Sequence, residues 1–288
     1  MINRALTITA AVVVAPLVGG LLSGLDRKLT ARMQGRIGPP VLQPFYDVLK
    51  LMGKEPFALN ATQIGYAYLH LAYIIMVFVL LGMGQDLLMI LFAHAFSTVS
   101  LVVGGMSVRS PYSRIGSQRK IMQMLAYEPI LVLLVVGIYC ITGSFQSGAV
   151  WAVDRPLLLS LPLVFLAYLA AMQVKLEKSP FDVATSHHAH QELVKGLTIE
   201  YSGPYLALIE ITQFYEIALV VAIVAMFWST NLVIGAGLAL LSFFLAILAD
   251  NLTPRVTTVR MVRYFWTVPL ALAITNIIWL YAARGGAR

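Results

Sequence analysis

The residues able to do chemistry in this 288-residue chain are mostly acids and histidines. Between Lys175 and Pro204, four carboxylates (Glu177, Asp182, Glu192, Glu200) and three of the five histidines (His187, His188, His190) share one polar stretch. Glu128, Glu210 and Glu216 interrupt apolar runs. Acids at such positions are costly unless they are paired or handle protons. A buried carboxyl whose pKa rises toward neutrality can hold a proton and pass it on. Asp182, Glu192, Glu200, Glu128, Glu210 and Glu216 are therefore candidates for a proton path running from a loop into a membrane. Glu210 and Glu216 stand six positions apart and are expected on roughly opposite faces of their helix. Asp250, at the end of an apolar run, is expected to be paired with a nearby cation or wetted at the interface.

The histidines carry less. His187, His188 and His190 are close enough to suggest metal ligands, but no second ligand cluster accompanies them, so a loop or partner contact is the better reading. His70 and His94 lie in separate apolar runs, and a bis-histidine haem site would usually need two facing pairs. One cysteine, Cys140, excludes a disulfide framework and any iron–sulfur cluster ligated by this chain alone. No metal or cofactor site is expected in the chain itself.

The elements that must position these groups are membrane helices. Hydrophobic residues make up 59% of the chain and charged residues 11%, far below a soluble domain's share. Mean hydropathy is +0.83. The expected fold is all-α, one integral membrane domain over residues 1–288 with about eight transmembrane helices. The apolar runs cover about 5–25, 66–84, 87–108, 121–142, 157–176, 203–228, 231–250 and 264–283. The first is read as a span rather than a cleaved leader, because a basic loop and further spans follow. Residues 41–55 place Val41, Phe45, Val48 and Met52 on one side and Asp47, Lys50 and Lys54 mostly on the other, which predicts a short amphipathic interfacial helix. Arg36-Ile37-Gly38-Pro39-Pro40 before it reads as a stiff turn.

Sixteen of the twenty Lys and Arg residues fall in the loops after the odd-numbered spans. The positive-inside rule then predicts those loops in the cytoplasm and both termini outside, in the cytoplasmic (inner) membrane. The net charge of +7 belongs to this asymmetry and points to the lipid bilayer rather than to nucleic acid.

Four motifs carry a resemblance. They are Arg36-x-Gly38-Pro39 leading to Gln43-Pro44-Phe45-x-Asp47-x-x-Lys50-Leu51-x-x-Lys54-Glu55-Pro56; Ser113-Arg114-x-Gly116-x-x-Arg119-x-x-x-Gln123-x-x-x-Tyr127-Glu128; Pro180-Phe181-Asp182; and Glu192-Leu193-Val194-x-Gly196-x-x-x-Glu200-Tyr201-Ser202-Gly203. With them the chain resembles the eight-helix membrane component at the junction of respiratory complex I, often called subunit 1, and its counterparts in energy-converting group 4 [NiFe]-hydrogenases. Three departures resemble the Ech-type hydrogenase branch. Gly38-Pro39 leads almost at once to Gln43-Pro44-Phe45, where quinone-reducing members usually carry an insert. Lys178-Ser179 stands where they have an Arg before Pro-Phe-Asp. Val183 to Gln191 is His-rich and lacks the acids they carry there.

The resemblance implies a membrane anchor and coupling subunit without a redox centre of its own. The NiFe centre and iron–sulfur clusters would lie in partner subunits: hydrogenase large and small subunits and an iron–sulfur subunit, beside an antiporter-like membrane subunit. It implies that Arg36, Gln43, Asp47, Lys50, Arg114, Arg119, Lys178, Phe181, His187, His188 and His190 contact the peripheral arm. It also implies that the six acids link ferredoxin-driven hydrogen evolution to H⁺ or Na⁺ movement. The alternatives are the quinone-site subunit of an NADH:quinone oxidoreductase, a stand-alone transporter or channel, or a passive anchor.

Overall fold

The computed structural model describes residues 2–57, 60–184 and 195–285. His187, His188, His190 and Glu192 lie outside the described residues. The helices are α1 (Ile2–Met33), α2 (Gln43–Met52), α3 (Ala61–Met83), α4 (Leu87–Met106), α5 (Pro111–Thr142), α6 (Leu157–Ser160), α7 (Pro162–Lys175), α8 (Gly203–Met226), α9 (Leu232–Leu252) and α10 (Thr258–Gly285). Among the described residues no strand forms. Seven helices are long and apolar enough to cross a membrane, and α7 is a shorter apolar helix.

Local chemistry sets the ends of these helices. Asn60 accepts from Thr62 N at the start of α3, Asp86 from Leu88 N at the start of α4, and Asn231 from Val233 N and Ile234 N at the start of α9. Pro111 and Pro204 open α5 and α8, where a missing N–H is harmless. The short helix α2 forms as the apolar pattern predicts, burying Pro44 and Val48. Its Phe45 ring meets Phe214 of α8 at 5.6 Å. Gly38, in the turn before α2, has φ +76°, and a Cβ there would stand 2.7 Å from Ala31 Cβ. Both its backbone and its neighbour exclude a side chain.

Two expectations on span limits are corrected. α1 and α5 contain 32 residues each, starting or ending well beyond the apolar runs 5–25 and 121–142. At 1.5 Å per residue such a helix is about 48 Å long, against a hydrocarbon core of about 30 Å. The surplus carries Asp26, Arg27, Arg114, Arg119 and Lys120 out of the apolar layer, and Lys and Arg sustain a helix as well as Leu does. The fifth span is not continuous. Leu161 (φ −125°, ψ 47°) breaks it between α6 and α7, because the residue before Pro162 is disfavoured in the helical region. Asn276 of α10 repairs the break. Its Oδ1 accepts from Leu163 N (2.8 Å) and Val164 N (3.1 Å), and its Nδ2 donates to Ser160 O (3.0 Å).

α8 packs against α1, α2, α3, α7 and α9, while α4 packs against α3 and α5. In the most apolar windows of α4 and α8, 56% of residues are buried, against 22% in α10. The inner helices are therefore the ones able to hide polar groups from lipid. The connections gather at two ends. At one, Val256 N bonds Pro180 O (3.0 Å), Arg119 bonds Val183 O (3.3 Å) and Gln34 bonds Asn251 (3.2 Å). This end, rich in Lys and Arg, is called the loop face below. At the far end Leu87 N bonds Phe145 O (2.8 Å) and Leu158 N bonds Phe227 O (3.0 Å).

Candidate functional site

Residues 176–184 form the entrance at the loop face. Gln123 Nε2 donates to Phe181 O at 2.7 Å, and the two bonds from Arg119 and Val256 hold the same segment. Phe181 is stacked on Tyr264 (5.6 Å) and edge-on to Phe265 (5.0 Å). Lys178, buried, donates to Asp26 Oδ1 of α1 (2.8 Å) and to Asp250 Oδ2 of α9 (3.3 Å). Ser179 N donates to Asp250 Oδ1 at 2.8 Å. Lys120 donates to Glu177 Oε1 at 2.5 Å. One ammonium thus joins three elements, and each of its two acids has a partner inside the chain. Asp182 is different. It is buried, and its nearest cation, Arg255, lies 3.6 Å away. Burial pushes the Asp182 carboxyl up to about 7; the Arg255 charge opposes the rise, and the charges of Glu177 and Asp250 add to it. Asp182 is therefore divided between its two protonation states near neutral pH.

Two polar cavities continue inward. One of about 270 Å³ is bordered by Asp26, Lys178, Asp182, Asp250, Glu210 and Gln213. The next, about 70 Å³, is bordered by His70, Lys120, Lys175, Glu210, Gln213 and Glu216. Glu177, Glu210 and Gln213 line both. Each cavity exceeds the space one water needs and offers the polar partners that hold it.

The path reaches a buried ion cluster. Glu216 Oε2 lies 3.0 Å from His94 Nε2 and 3.0 Å from Lys175 Nζ. Lys175 also approaches Tyr127 OH (3.4 Å), its ammonium 5.0 Å from that ring's centroid. His70 Nδ1 lies 2.8 Å from Ser97, on the neighbouring helix. Glu128 Oε1 is buried without a hydrogen-bond partner, within electrostatic reach of His94, Lys175 and Glu216. A lone carboxylate at membrane depth costs about 3 kcal/mol or more. Lys175 offsets that cost for Glu216, and the cluster draws His94 from α4, Tyr127 and Glu128 from α5, Lys175 from α7 and Glu216 from α8.

Asp182, Glu210 and Glu216 border these two cavities, Glu128 lies within electrostatic reach of the cluster, and Glu200 stands apart from all of them. Glu200 borders a separate cleft with Asn60, Arg109 and Tyr112. Glu210 and Glu216 do not point to opposite faces but border one cavity. Six residues turn a helix by about 600°, which leaves the two only about 120° apart. Among the residues expected at a peripheral-arm contact, Arg36, Lys50 and Arg114 are exposed. Asp47 accepts from Arg27 (2.6 Å) and Gln43 (3.0 Å). Burial raises the Asp47 pKa, but these bonds outweigh it and hold the carboxyl below its ordinary value. Lys178 and Phe181 are corrections: both are buried and already engaged inside the chain, so neither side chain is free to meet a partner. Sequence reasoning missed Lys175 and His94 as site residues. The available signal was a lysine closing an apolar run and a histidine placed mid-run.

The fold and the buried cluster define a multi-span membrane protein with an ionisable path entered from one face. Comparison with known proteins then fixes the family: the NADH dehydrogenase family model matches residues 6–281, and the chain belongs to that family. It is 30% identical to the H subunit of NADH-quinone oxidoreductase from Geobacillus kaustophilus, covering 93% of this chain and 89% of that protein. It is 27% identical to the equivalent protein of Dehalococcoides mccartyi, covering 88% and 79% respectively. Its fold matches a chain in the structure of the membrane-bound sulfane sulfur reductase, an archaeal respiratory membrane complex, with a TM-score of 0.84 and 23% identity over 96% of this chain and 99% of that one. The protein is thus a membrane subunit of a complex I-like respiratory complex.

Proposed function

We propose that the chain is the anchor and coupling subunit of an Ech-type energy-converting [NiFe]-hydrogenase. Its basic loop face, cytoplasmic in this reading, seats a peripheral arm that takes electrons from reduced ferredoxin and combines two electrons with two protons to form hydrogen. The NiFe centre and iron–sulfur clusters belong to the partner subunits. This chain supplies charge coupling. A change of charge in the arm shifts the proton on Asp182, and the shift passes through Glu210 to Glu216, Glu128 and the cations beside them. The ion moved is H⁺ or Na⁺, and an antiporter-like membrane subunit is the expected neighbour.

The observation that carries the hydrogenase branch is the short link between Gly38-Pro39 and Gln43-Pro44-Phe45. The 27–30% identity to quinone-oxidoreductase subunits supports a second reading, a quinone-site subunit. Purifying the complex from its native membrane separates these readings. The expected result is a NiFe-containing large subunit beside this chain and hydrogen evolution from reduced ferredoxin that builds an ion gradient. A quinone-reducing complex blocked by quinone-site inhibitors supports the second reading instead, and a sulfur-reducing complex without hydrogen evolution excludes both.

A further inference from the structure

Beyond the cluster the polar path meets an apolar cavity. About 80 Å³ of space lies between His94 and Lys175 at one end and Leu87, Leu157 and Phe227 at the other. Its walls include Leu91, Leu134, Val135, Val220 and Tyr168, whose hydroxyl is committed to Val220 O (3.0 Å). Leu87 opens α4 and Phe227 follows α8, both beside the bonded turns of the far end. From His94 to Leu87 is about 10 Å along the helix axis, at 1.5 Å per residue. This cavity is what stands between the ion cluster and the far face.

We infer that His94 is the last proton-holding residue on the path from the loop face, and that the apolar cavity beyond it is a dry seal across this chain. Cavities of this size lined by Leu, Ile and Phe stay empty of water, and without water or side-chain donors a proton has no carrier. His94 sits on the boundary. Its Nε2 meets Glu216 on the polar side, while its ring helps to wall the apolar cavity. Lys175 shares that boundary, but its ammonium only donates, whereas an imidazole carries a second nitrogen able to accept. The imidazole has two nitrogens, so it can take a proton at one and yield it from the other. Glu216, Lys175 and Glu128 set the charge around it.

The inference deepens the coupling role, but its test needs neither hydrogen nor ferredoxin. The complex, resting and without substrate, is reconstituted in phospholipid vesicles enclosing a pH-sensitive dye, and an acid pulse is applied. The unmodified complex is expected to stay tight. Leu134→Asn, which puts a polar group in the seal, is expected to raise proton entry severalfold. Adding His94→Gln is expected to abolish that increase. A Leu134→Asn complex as tight as the unmodified one, or a leak unchanged by His94→Gln, overturns the inference. Should Leu134→Asn fail to assemble, a high-resolution map of the unmodified complex decides. Ordered water beside Glu210 and Gln213 with none beside Leu91 and Leu134 supports the seal, and water in the apolar cavity overturns it. Failure of the hydrogenase reading shows elsewhere, in the identity of the neighbouring subunits.

Discussion

Between the loop face and Glu216 the bundle interior is built from paired charges: Lys178 with Asp26 and Asp250, Lys120 with Glu177, Lys175 with Glu216. Between His94 and the far face, the cavity is walled mainly by Leu, Val and Ile side chains, with Met226, Phe227 and Tyr168, the last bonded to Val220 O. The two halves share α4, α5, α7 and α8, so helix composition alone does not separate them. What separates them is where each helix leaves the apolar layer. The charged half lies under the long helical overhangs and the basic loops, where water reaches the first acids. The apolar half lies under the turns after α3 and α8 and the 143–156 connection, whose Asp154 and Arg155 stay exposed. In the proposed coupling role, the polar half changes its protonation state while the other insulates it.

Removing the cation at the boundary should break this comparison most strongly. Lys175→Met leaves Glu216 buried beside His94 alone, and loss of one partner of a buried pair costs about 3–5 kcal/mol. The expected outcome is little or no assembled complex in isolated membranes, read as the yield of purified complex. The apolar half contains a polar group of its own, and its pairing can be tested in the same way. Asn276→Leu orphans Leu163 N, Val164 N and Ser160 O at the break before α7. Each unsatisfied buried group costs about 1–3 kcal/mol, so a marked fall in the thermal unfolding midpoint of the detergent-solubilised complex is expected.

Asp182 tests the polar half through pH. Its carboxyl titrates at about 7 in the fold, against about 4 in an unfolded chain. The folded state thus favours the neutral form. Its stabilising contribution is complete below about pH 4 and is lost as pH rises through 7, with a slope of at most about 1.4 kcal/mol per pH unit. Asp182→Asn, a mimic of the neutral acid, should match the unmodified protein at low pH and unfold at a higher temperature above pH 7. A parallel pair of pH–stability curves contradicts the assignment. The smallest effect belongs to the surface. Arg27 and Asp47 are 41% and 40% exposed, and Arg27→Gln is expected to change stability by no more than about 1 kcal/mol. A larger loss in thermal stability means that this pair does more than hold α2 to α1.

The eight apolar segments were legible because membrane insertion depends on local hydrophobicity, which a sequence carries openly. The amphipathic α2 was legible for a similar reason, its pattern lying within ten residues. The break at Leu161 was legible in principle, since Leu161-Pro162 marks it, but apolar content overrode the proline. The ion cluster was legible only in part. Glu216 and Glu128 stood out as acids in apolar runs. Their partners did not, because His94 meets Glu216 across 122 positions of sequence, a distance set by helix packing. Lys178 misled for the same reason: it sits in a polar loop motif, yet the fold turns it inward to join α1 and α9. Glu192 and the three loop histidines lie outside the described residues.

The most direct test of the coupling role keeps the buried charge balanced while removing its proton chemistry. In the Lys175→Met/Glu216→Gln/Glu128→Gln triple variant neither an uncompensated acid nor a lone ammonium remains, so the complex should assemble. Reconstituted in vesicles and supplied with reduced ferredoxin, it should evolve hydrogen while building little or no ion gradient. A full gradient at full hydrogen yield would contradict the account.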